Sequence, residues 1–167
     1  IADVADDVLA EIDPSLQPPS SVRSTGVPPW AAPLPAGADG DRVLAERVGA
    51  ERDAVGDGRT VVLAPEGRIA HVRAVLEAAG LVAPIGSGTE ETAGESELDA
   101  PVVVLPVAAA KGLEFDAVVV VEPQEMLDES PRGRGDLYVA ITRATRRLGV
   151  LHSGDLPPVL KRIARSG

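Results

Sequence analysis

The sequence predicts an α/β domain in which a mainly parallel sheet is flanked by helices. Short runs of β-branched residues alternate with stretches of helical period, and this alternation is typical of a parallel sheet with crossover helices. Two of the runs, Val102–Leu105 and Ala117–Val121, are continuously apolar, as strands covered on both faces require. The 167 residues are enough for one compact unit with its own core. We therefore expect a single domain over residues 1–167.

The first half of the chain predicts three helices, an irregular connection and a strand. A turn at Gly56-Asp57-Gly58 ends the second helix, and Gly80 ends the third. The connection is dense in Pro, Ala, Ser and Gly, and a short strand at 21–24 fits within it. The first helix has an apolar stripe of Ile1, Val4, Ala5, Val8 and Ile12, and the connection 13–40 follows it. The second helix covers Asp41–Val55, with Leu44, Val48 and Val55 inward. A strand over Thr60–Ala64 comes next, and the third helix turns Ile69, Val72, Leu76 and Ala79 inward.

The second half begins with a loop and continues as strands and helices. Residues 86–100 contain Gly, Ser, Thr and five acids, which favours an exposed acidic loop. After the two apolar strands comes a helix whose inward face has the i, i+3, i+4, i+7 spacing. That face is Leu137, Ala140, Ile141 and Ala144, a last strand follows at Leu148–Leu151, and a closing helix carries Leu156, Val159, Leu160 and Ile163.

Composition excludes several classes of function. The chain has no cysteine, so it has neither a disulfide framework nor a thiolate metal site, and only His71 and His152 offer imidazole, without a second ligand at metal spacing. With one Trp, one Tyr and one Phe, a base-stacking surface for single strands is nearly ruled out. No apolar run approaches the roughly 20 residues that span a bilayer, and the acidic N-terminus does not resemble a signal peptide. We expect a soluble, cytoplasmic protein with no metal site and no membrane partner.

The charge is distributed unevenly. The net charge is −10, yet the part of the chain from Pro131 onward carries about +6 and the part before it about −16. The basic residues of this end are Arg132, Arg134, Arg143, Arg146, Arg147, Lys161, Arg162 and Arg165. A phosphate-facing end and a solvated basic helix face both fit this distribution.

The chain lacks the elements that hydrolyse a nucleotide. A P-loop needs a glycine-rich turn that ends in Gly-Lys-Ser/Thr, whereas Lys111 precedes Gly112 here and no such turn occurs elsewhere. No strand ends in paired acids, because Val121 is followed by Glu122 and then by proline. By itself, this chain should not hydrolyse ATP.

Two segments close to each other carry the most specific pattern. They are Ala109–Asp116 (AAKGLEFD) and Leu137–Ala144 (LYVAITRA). In this order they resemble the last two ATP-site motifs of UvrD/Rep-type superfamily 1 helicases. In that family ATP with Mg²⁺ lies between two RecA-like domains, and the first domain carries the P-loop. The resemblance therefore implies a C-terminal RecA-like domain of the P-loop NTPase superfamily without the P-loop itself, as a fragment of a larger motor.

The resemblance assigns roles residue by residue. Arg143 matches the arginine finger that reaches the γ-phosphate, a role suited to a permanently charged planar fork. Glu114 matches the carboxylate that accepts from the ribose hydroxyl, and Gly112 matches the glycine beside the nucleotide. Lys111 belongs to the same cofactor-binding set. The helical spacing independently places Arg143 on the flank of a helix, pointing away from the core.

The residues before the first motif bear on the branch of the family. DNA-tracking members usually carry a polar pair such as His-Ser there, and this chain has Ala108 and Ala109, which cannot donate to phosphate. The runs Val102–Pro106, Leu148–His152 and the one beginning at Ser21 resemble actinobacterial HelD-type motors, which bind and recycle RNA polymerase. The leading hypothesis is a HelD-like motor that acts on RNA polymerase core. A 3′ to 5′ DNA helicase of the UvrD/Rep type, used in DNA repair, and an inert protein-interaction module remain as alternatives.

Overall fold

The computed structural model describes residues 4, 8, 9, 12, 29–82, 101–129, 131–157 and 160. Within this part the elements with described bounds are five strands, five helices and a turn of 3₁₀ helix at Glu66–Arg68; the isolated described residues 4, 8, 9 and 12 are also helical, and residue 160 is in a 3₁₀ turn. In chain order they are β1 (Trp30–Pro33), α1 (Ala38–Val55), β2 (Thr60–Leu63), α2 (Ile69–Ala78), β3 (Val102–Leu105), α3 (Val107–Ala110), β4 (Phe115–Val121), α4 (Pro123–Glu129), α5 (Gly133–Thr142) and β5 (Ala144–His152).

The five strands make one parallel sheet in the order β1-β5-β4-β2-β3. Strands β2 and β4 are central, and all four residues of β2 are buried. Parallel strands need crossover connections, which the helices supply. The predicted fold class, a parallel sheet flanked by helices, is confirmed.

Helices cover both faces of the sheet and produce two apolar clusters. On one face, α1 and α2 contribute Leu44, Val48, Val72 and Leu76. On the other, α3, α4 and α5 pack together with Val4 and Val8 of the N-terminal segment; the helical core residues of that face are Val107, Ala110, Met126, Leu137, Ala140 and Ile141. Aliphatic residues dominate both clusters, as the shortage of aromatic residues predicts.

Most predicted elements lie where the pattern placed them. Strand β3 has the predicted bounds, β2 ends one residue early, and β4 begins two residues early at Phe115. Helix α1 begins three residues early and buries the predicted stripe. In α2, Ala79 was wrongly predicted to be inward, because the helix ends at Ala78 and Ala79 is exposed. Val4 and Val8 are helical and buried as predicted, whereas the helical Ile12 is 40% exposed.

The prediction of an irregular connection over 13–40 is wrong for the residues that the structure describes at its end. Trp30–Pro33 forms the edge strand β1, and α1 begins at Ala38. The run Trp-Ala-Ala-Pro has none of the β-branched residues that indicate a strand. It pairs because β5 offers a free edge, with Trp30 opposite Gly149. The suggested strand at 21–24 lies outside the described residues.

The predicted end of the helix that carries Arg143 is also wrong. Helix α5 ends at Thr142, and Ala144 is the first residue of β5 rather than part of the inward face. Leu137, Ala140 and Ile141 are fully buried as predicted. The strand therefore starts four residues before the predicted Leu148, because pairing with β4 overrides the helical spacing.

Two predicted segments lie largely or wholly beyond the described part. The acidic loop at 86–100 is outside it. Of the predicted closing helix, Leu156 and Pro157 have no regular structure and Leu160 lies in a 3₁₀ turn, buried against the sheet.

A buried carboxylate fastens the edge strand to the rest of the sheet. Glu51 on α1 is 3% exposed. It accepts hydrogen bonds from the Trp30 indole (2.9 Å) and from Nε and Nη2 of Arg147 (2.7 and 3.1 Å). The same contact raises the pKa of Arg147, chiefly through the hydrogen bond to Glu51. Trp30 is further covered by Arg47, whose guanidinium carbon is 4.9 Å from the ring centroid. One acid thus joins α1, β1 and β5.

Replacing Glu51 with alanine should lower the free energy of unfolding by about 3 kcal/mol, because it leaves the Arg147 guanidinium and the Trp30 indole without their acceptor. Urea denaturation measures the change. Glu46→Ala on the exposed side of the same helix is the control and should change stability by less than about 0.5 kcal/mol. Equal stability of the two variants would contradict the role assigned to Glu51.

Candidate functional site

The two motif segments meet at the amino-terminal edge of the sheet. Strands β4 and β5 are neighbours, and Phe115 at the start of one lies opposite Ala144 at the start of the other. The Phe115 N–H donates to the Arg143 carbonyl at 2.9 Å, and the Thr145 hydroxyl donates to the Phe115 carbonyl at 3.1 Å. Glu114 and Arg143, 29 positions apart in the chain, therefore lie next to each other at the main-chain hydrogen bond between Phe115 and Arg143.

Arg143 caps the C-terminus of α5 and does not lie on its flank. Its N–H donates to the carbonyls of Val139 and Ala140 at 3.2 and 3.3 Å. The side chain is half-buried, and within the described part of the chain its Nε is buried without a hydrogen-bond partner. An orphaned donor of this kind costs stability. The main chain of Arg143 is therefore anchored to the end of α5, with the Nε atom beneath the surface.

The loop that joins α3 to β4 carries the other predicted site residues. Lys111, Gly112 and Glu114 are all exposed. Gly112 has a φ of +80°, with no other atom near the position of a Cβ, so the backbone needs glycine there and leaves the space above it open. Leu113 packs on the core, and its N–H donates to Ala110. Among the described residues, no salt bridge involves the Glu114 carboxylate.

Two polar residues that the sequence analysis did not select support this loop. The Arg59 main-chain N–H donates to the Asp116 carboxylate at 2.8 Å, and its guanidinium donates to the Glu114 carbonyl at 3.1 Å. The same guanidinium lies 5.1 Å from the centroid of the Phe115 ring. Asp116 is also 4.0 Å from Arg146. The only signal in the sequence was the position of Arg59 just before a buried strand.

The opposite, carboxyl-terminal edge of the sheet carries paired charges beside a cavity of about 250 Å³, which is lined in part by Arg68, Val121 and Ser153. The chain leaves β2 and β4 towards opposite faces, which makes the crevice between their ends the usual ligand position of such a sheet. Here Arg68 forms two bonds to Glu125, of 2.7 and 2.6 Å, and lies 3.6 Å from Glu122. The buried Glu122 accepts from the main chain and the hydroxyl of Ser153, at 2.5 and 2.6 Å, with a φ of +54°.

The remaining polar candidates have ordinary surface roles. His71 contacts Asp41 at 2.8 Å, and His152 contacts the Gly154 carbonyl at 2.7 Å. The described residues contain no group of three or more side chains able to hold a metal ion. In the same part of the chain, no helix combines the length and the apolar character needed to cross a bilayer.

The basic C-terminal end is partly neutralised within the fold. Arg147 is bound to Glu51, and Arg146 lies near Asp116. Arg132 and Arg134 also have interactions within the fold. The remaining basic residues of this end, from Lys161 onward, lie outside the described ranges.

Comparisons with known proteins agree with this arrangement. Residues 101–151 match the family model of the UvrD-like helicase C-terminal domain, a span that includes both motif segments. The crystal structure of the C-terminal domain of a "possible DNA helicase" from Lactobacillus plantarum WCFS1 is 25% identical, with a TM-score of 0.64 over 96% of this chain and 88% of that one. No curated protein is significantly similar in sequence. The predicted resemblance to a UvrD-like C-terminal domain is confirmed at the level of the domain.

The ion pair between Arg68 and Glu125 predicts that the free energy of unfolding depends on pH. Two hydrogen bonds from Arg68 hold the pKa of Glu125 below its ordinary value. A carboxyl group with a lowered folded pKa adds stability above its unfolded pKa, and this stability is lost as the pH falls through the folded value. Glu125→Gln should therefore destabilise the domain by up to about 1 kcal/mol at pH 7, since both side chains are partly exposed.

The difference should begin to shrink near the ordinary glutamate pKa of about 4 and should vanish only below the lowered folded pKa of Glu125, as measured by urea denaturation across a pH series. Glu129→Gln, on the exposed end of the same helix, provides the matched control. A Glu125→Gln effect that persists unchanged at pH 3 would show that the ion pair is not its source.

Proposed function

We propose that this domain is the second RecA-like domain of an ATP-dependent helicase-type motor, and that it completes an ATP site held mainly by a P-loop domain of the same parent chain. The observation that carries the proposal is the convergence of Glu114 and Arg143 at one edge of the sheet, joined by the Phe115 to Arg143 hydrogen bond. The match of residues 101–151 to the UvrD-like C-terminal domain supports it.

Each residue has a role that its position permits. Arg143 is the arginine finger, because it stands at the end of α5 beside Glu114 and carries a permanently charged planar fork. Exposed Glu114 accepts from the ribose hydroxyl. Gly112 leaves the backbone bare beside the nucleotide, and Lys111 adds a positive charge on the same loop. These groups fit a nucleoside triphosphate. Its phosphates need positively charged donors, and its ribose hydroxyl groups need an acceptor.

The domain contributes binding and charge stabilisation rather than the whole site. Mg²⁺ and most of the phosphate contacts belong to the P-loop domain, because this chain has neither the P-loop turn nor the paired acids. The carboxyl-terminal crevice supports this division of labour, since Arg68 and Glu125 occupy it. The isolated chain is therefore inactive in ATP hydrolysis.

RNA polymerase core is the leading partner of the parent motor, which would then act in the cytoplasm. Ala108 and Ala109 are exposed on α3, and two methyl groups at a position where DNA-tracking motors use polar residues offer no donor to a phosphate. The DNA helicase alternative is favoured by the solved structure of a "possible DNA helicase". The interaction-module alternative predicts partner binding by the isolated chain that depends on neither nucleotide nor Arg143.

Replacing Arg143 with alanine in the full-length parent should lower the kcat for ATP by about 10³-fold, because the charge on the transferring phosphoryl group loses its planar donor. Arg143→Lys should recover little, since an ammonium cannot reproduce the bidentate fork. Steady-state ATPase measures both variants. Arg42→Ala, an exposed arginine of α1, is the charge-matched control. Normal turnover by Arg143→Ala would overturn the motor proposal.

The partner is identified by ATPase of the parent alone, with single-stranded DNA, and with RNA polymerase core enzyme, at matched salt. The HelD-like proposal expects turnover that is independent of DNA, together with tight polymerase binding. Stimulation by DNA without polymerase binding would establish the helicase alternative, in which Ala108 and Ala109 are tolerated. Matched salt is essential because contacts with phosphate weaken steeply as salt rises.

A further inference from the structure

Arg59 occupies an unusual position at the candidate site. It is half-buried at the start of β2, two strands away from β5, and belongs to neither motif segment. Its guanidinium donates to the Glu114 carbonyl at 3.1 Å and lies over the Phe115 ring at 5.1 Å. A single side chain therefore holds the residue predicted to bind ribose and the residue that follows it.

The main chain around Arg59 is fixed to the same segment. Its N–H donates to Asp116 at 2.8 Å. Gly58 lies so close that a Cβ there would come within 2.7 Å of the Asp116 carboxylate. The Arg59 segment thus contacts three consecutive residues, 114, 115 and 116.

These contacts restrain the main chain of Glu114. Its carbonyl carbon is bonded to the Cα that carries the side chain, so holding the carbonyl and the next ring narrows the range of directions open to the Cα–Cβ bond. The loop itself includes Gly112 at positive φ and is exposed on both sides of Leu113. Without Arg59, the main chain of Glu114 would lose its own hydrogen bond and would be held only through its neighbours, by the packing of Leu113 and by the bonds that Phe115 makes with Arg143 and Thr145.

We propose that Arg59 is a positioning residue for nucleotide recognition, which holds Glu114 in the orientation that selects a ribose with free hydroxyl groups. The inference rests on the proposed function, because it concerns the same ATP site. Arg59 acts through the main chain of Glu114 and not by touching the nucleotide. A planar guanidinium suits this task because it can stack on Phe115 and donate to a carbonyl at the same time.

The test compares ATP with 2′,3′-dideoxy-ATP as substrates of the full-length parent. Arg59→Gln should raise the KM for ATP about five- to tenfold with kcat within about twofold, because only binding that is equal in ground and transition states is lost. In this variant, the ratio of kcat/KM for ATP to kcat/KM for the dideoxy analogue should fall from its wild-type value towards one. Glu114→Gln should reduce the same ratio, and the double variant should show no further loss, as expected for residues that act together.

A purely structural role would give a different result. Loss of folded protein lowers the activity with both nucleotides equally and leaves their ratio unchanged. Arg59→Lys, which keeps the charge but not the planar stacking, should restore only part of the ratio, and Arg42→Gln should leave it at the wild-type value. An Arg59→Gln ratio equal to that of the wild type, or a drop in kcat alone, overturns the inference.

Different results would contradict the proposed ATP site and the positioning role of Arg59. If Glu114→Gln changes the ratio and Arg59→Gln does not, only the positioning role is lost. If neither Glu114→Gln nor Arg143→Ala affects turnover or selectivity, the proposed ATP site itself is wrong.

Discussion

The parallel pairing of β4 with β5 is the constraint on which the candidate site depends. It places the first residues of both strands side by side, and the residues just before them, Glu114 and Arg143, are carried to the same edge. The hydrogen bond from the Phe115 N–H to the Arg143 carbonyl is the first rung of this ladder. Neither motif segment could form the candidate site alone, since the first supplies the carboxylate of Glu114 and the second supplies the guanidinium of Arg143.

An irregularity in the pairing of β4 with β5 determines which partners the following arginines reach. From Phe115 to Ala117 the strand β4 advances two residues, while β5 advances three, from Ala144 to Arg147. Such an extra residue is a β-bulge, which bends the strand and redirects side chains. Here the Thr145 hydroxyl bonds to the Phe115 carbonyl, Arg146 approaches Asp116, and Arg147 reaches Glu51 on α1. The bulge thus lets neighbouring arginines serve different parts of the fold.

Sequence patterns could predict the centre of the sheet but not its edge. Strands β2, β3 and β4 contain the continuous apolar runs Val61–Leu63, Val102–Leu105 and Ala117–Val121, which are a local signal. By contrast, the Trp-Ala-Ala-Pro of β1 becomes a strand only through the partners of Trp30. The start of β5 was read as helix because Ala144 fits the helical spacing, and pairing with β4 decided otherwise. The motif resemblance named Glu114 and Arg143. Arg59 could not be found in this way, since its bond to Glu114 spans 55 positions.

The two edges of the sheet differ in how far their polar side chains are satisfied within the fold. At the carboxyl-terminal edge, Arg68 donates to Glu125 and lies 3.6 Å from Glu122, which accepts from Ser153. At the amino-terminal edge, the described structure leaves the Nε of Arg143 without a partner and Lys111 and Glu114 exposed. Unsatisfied polar capacity is costly in isolation. This contrast is why the proposed ATP site is assigned to the amino-terminal edge, where the proposed P-loop domain would supply the phosphate contacts.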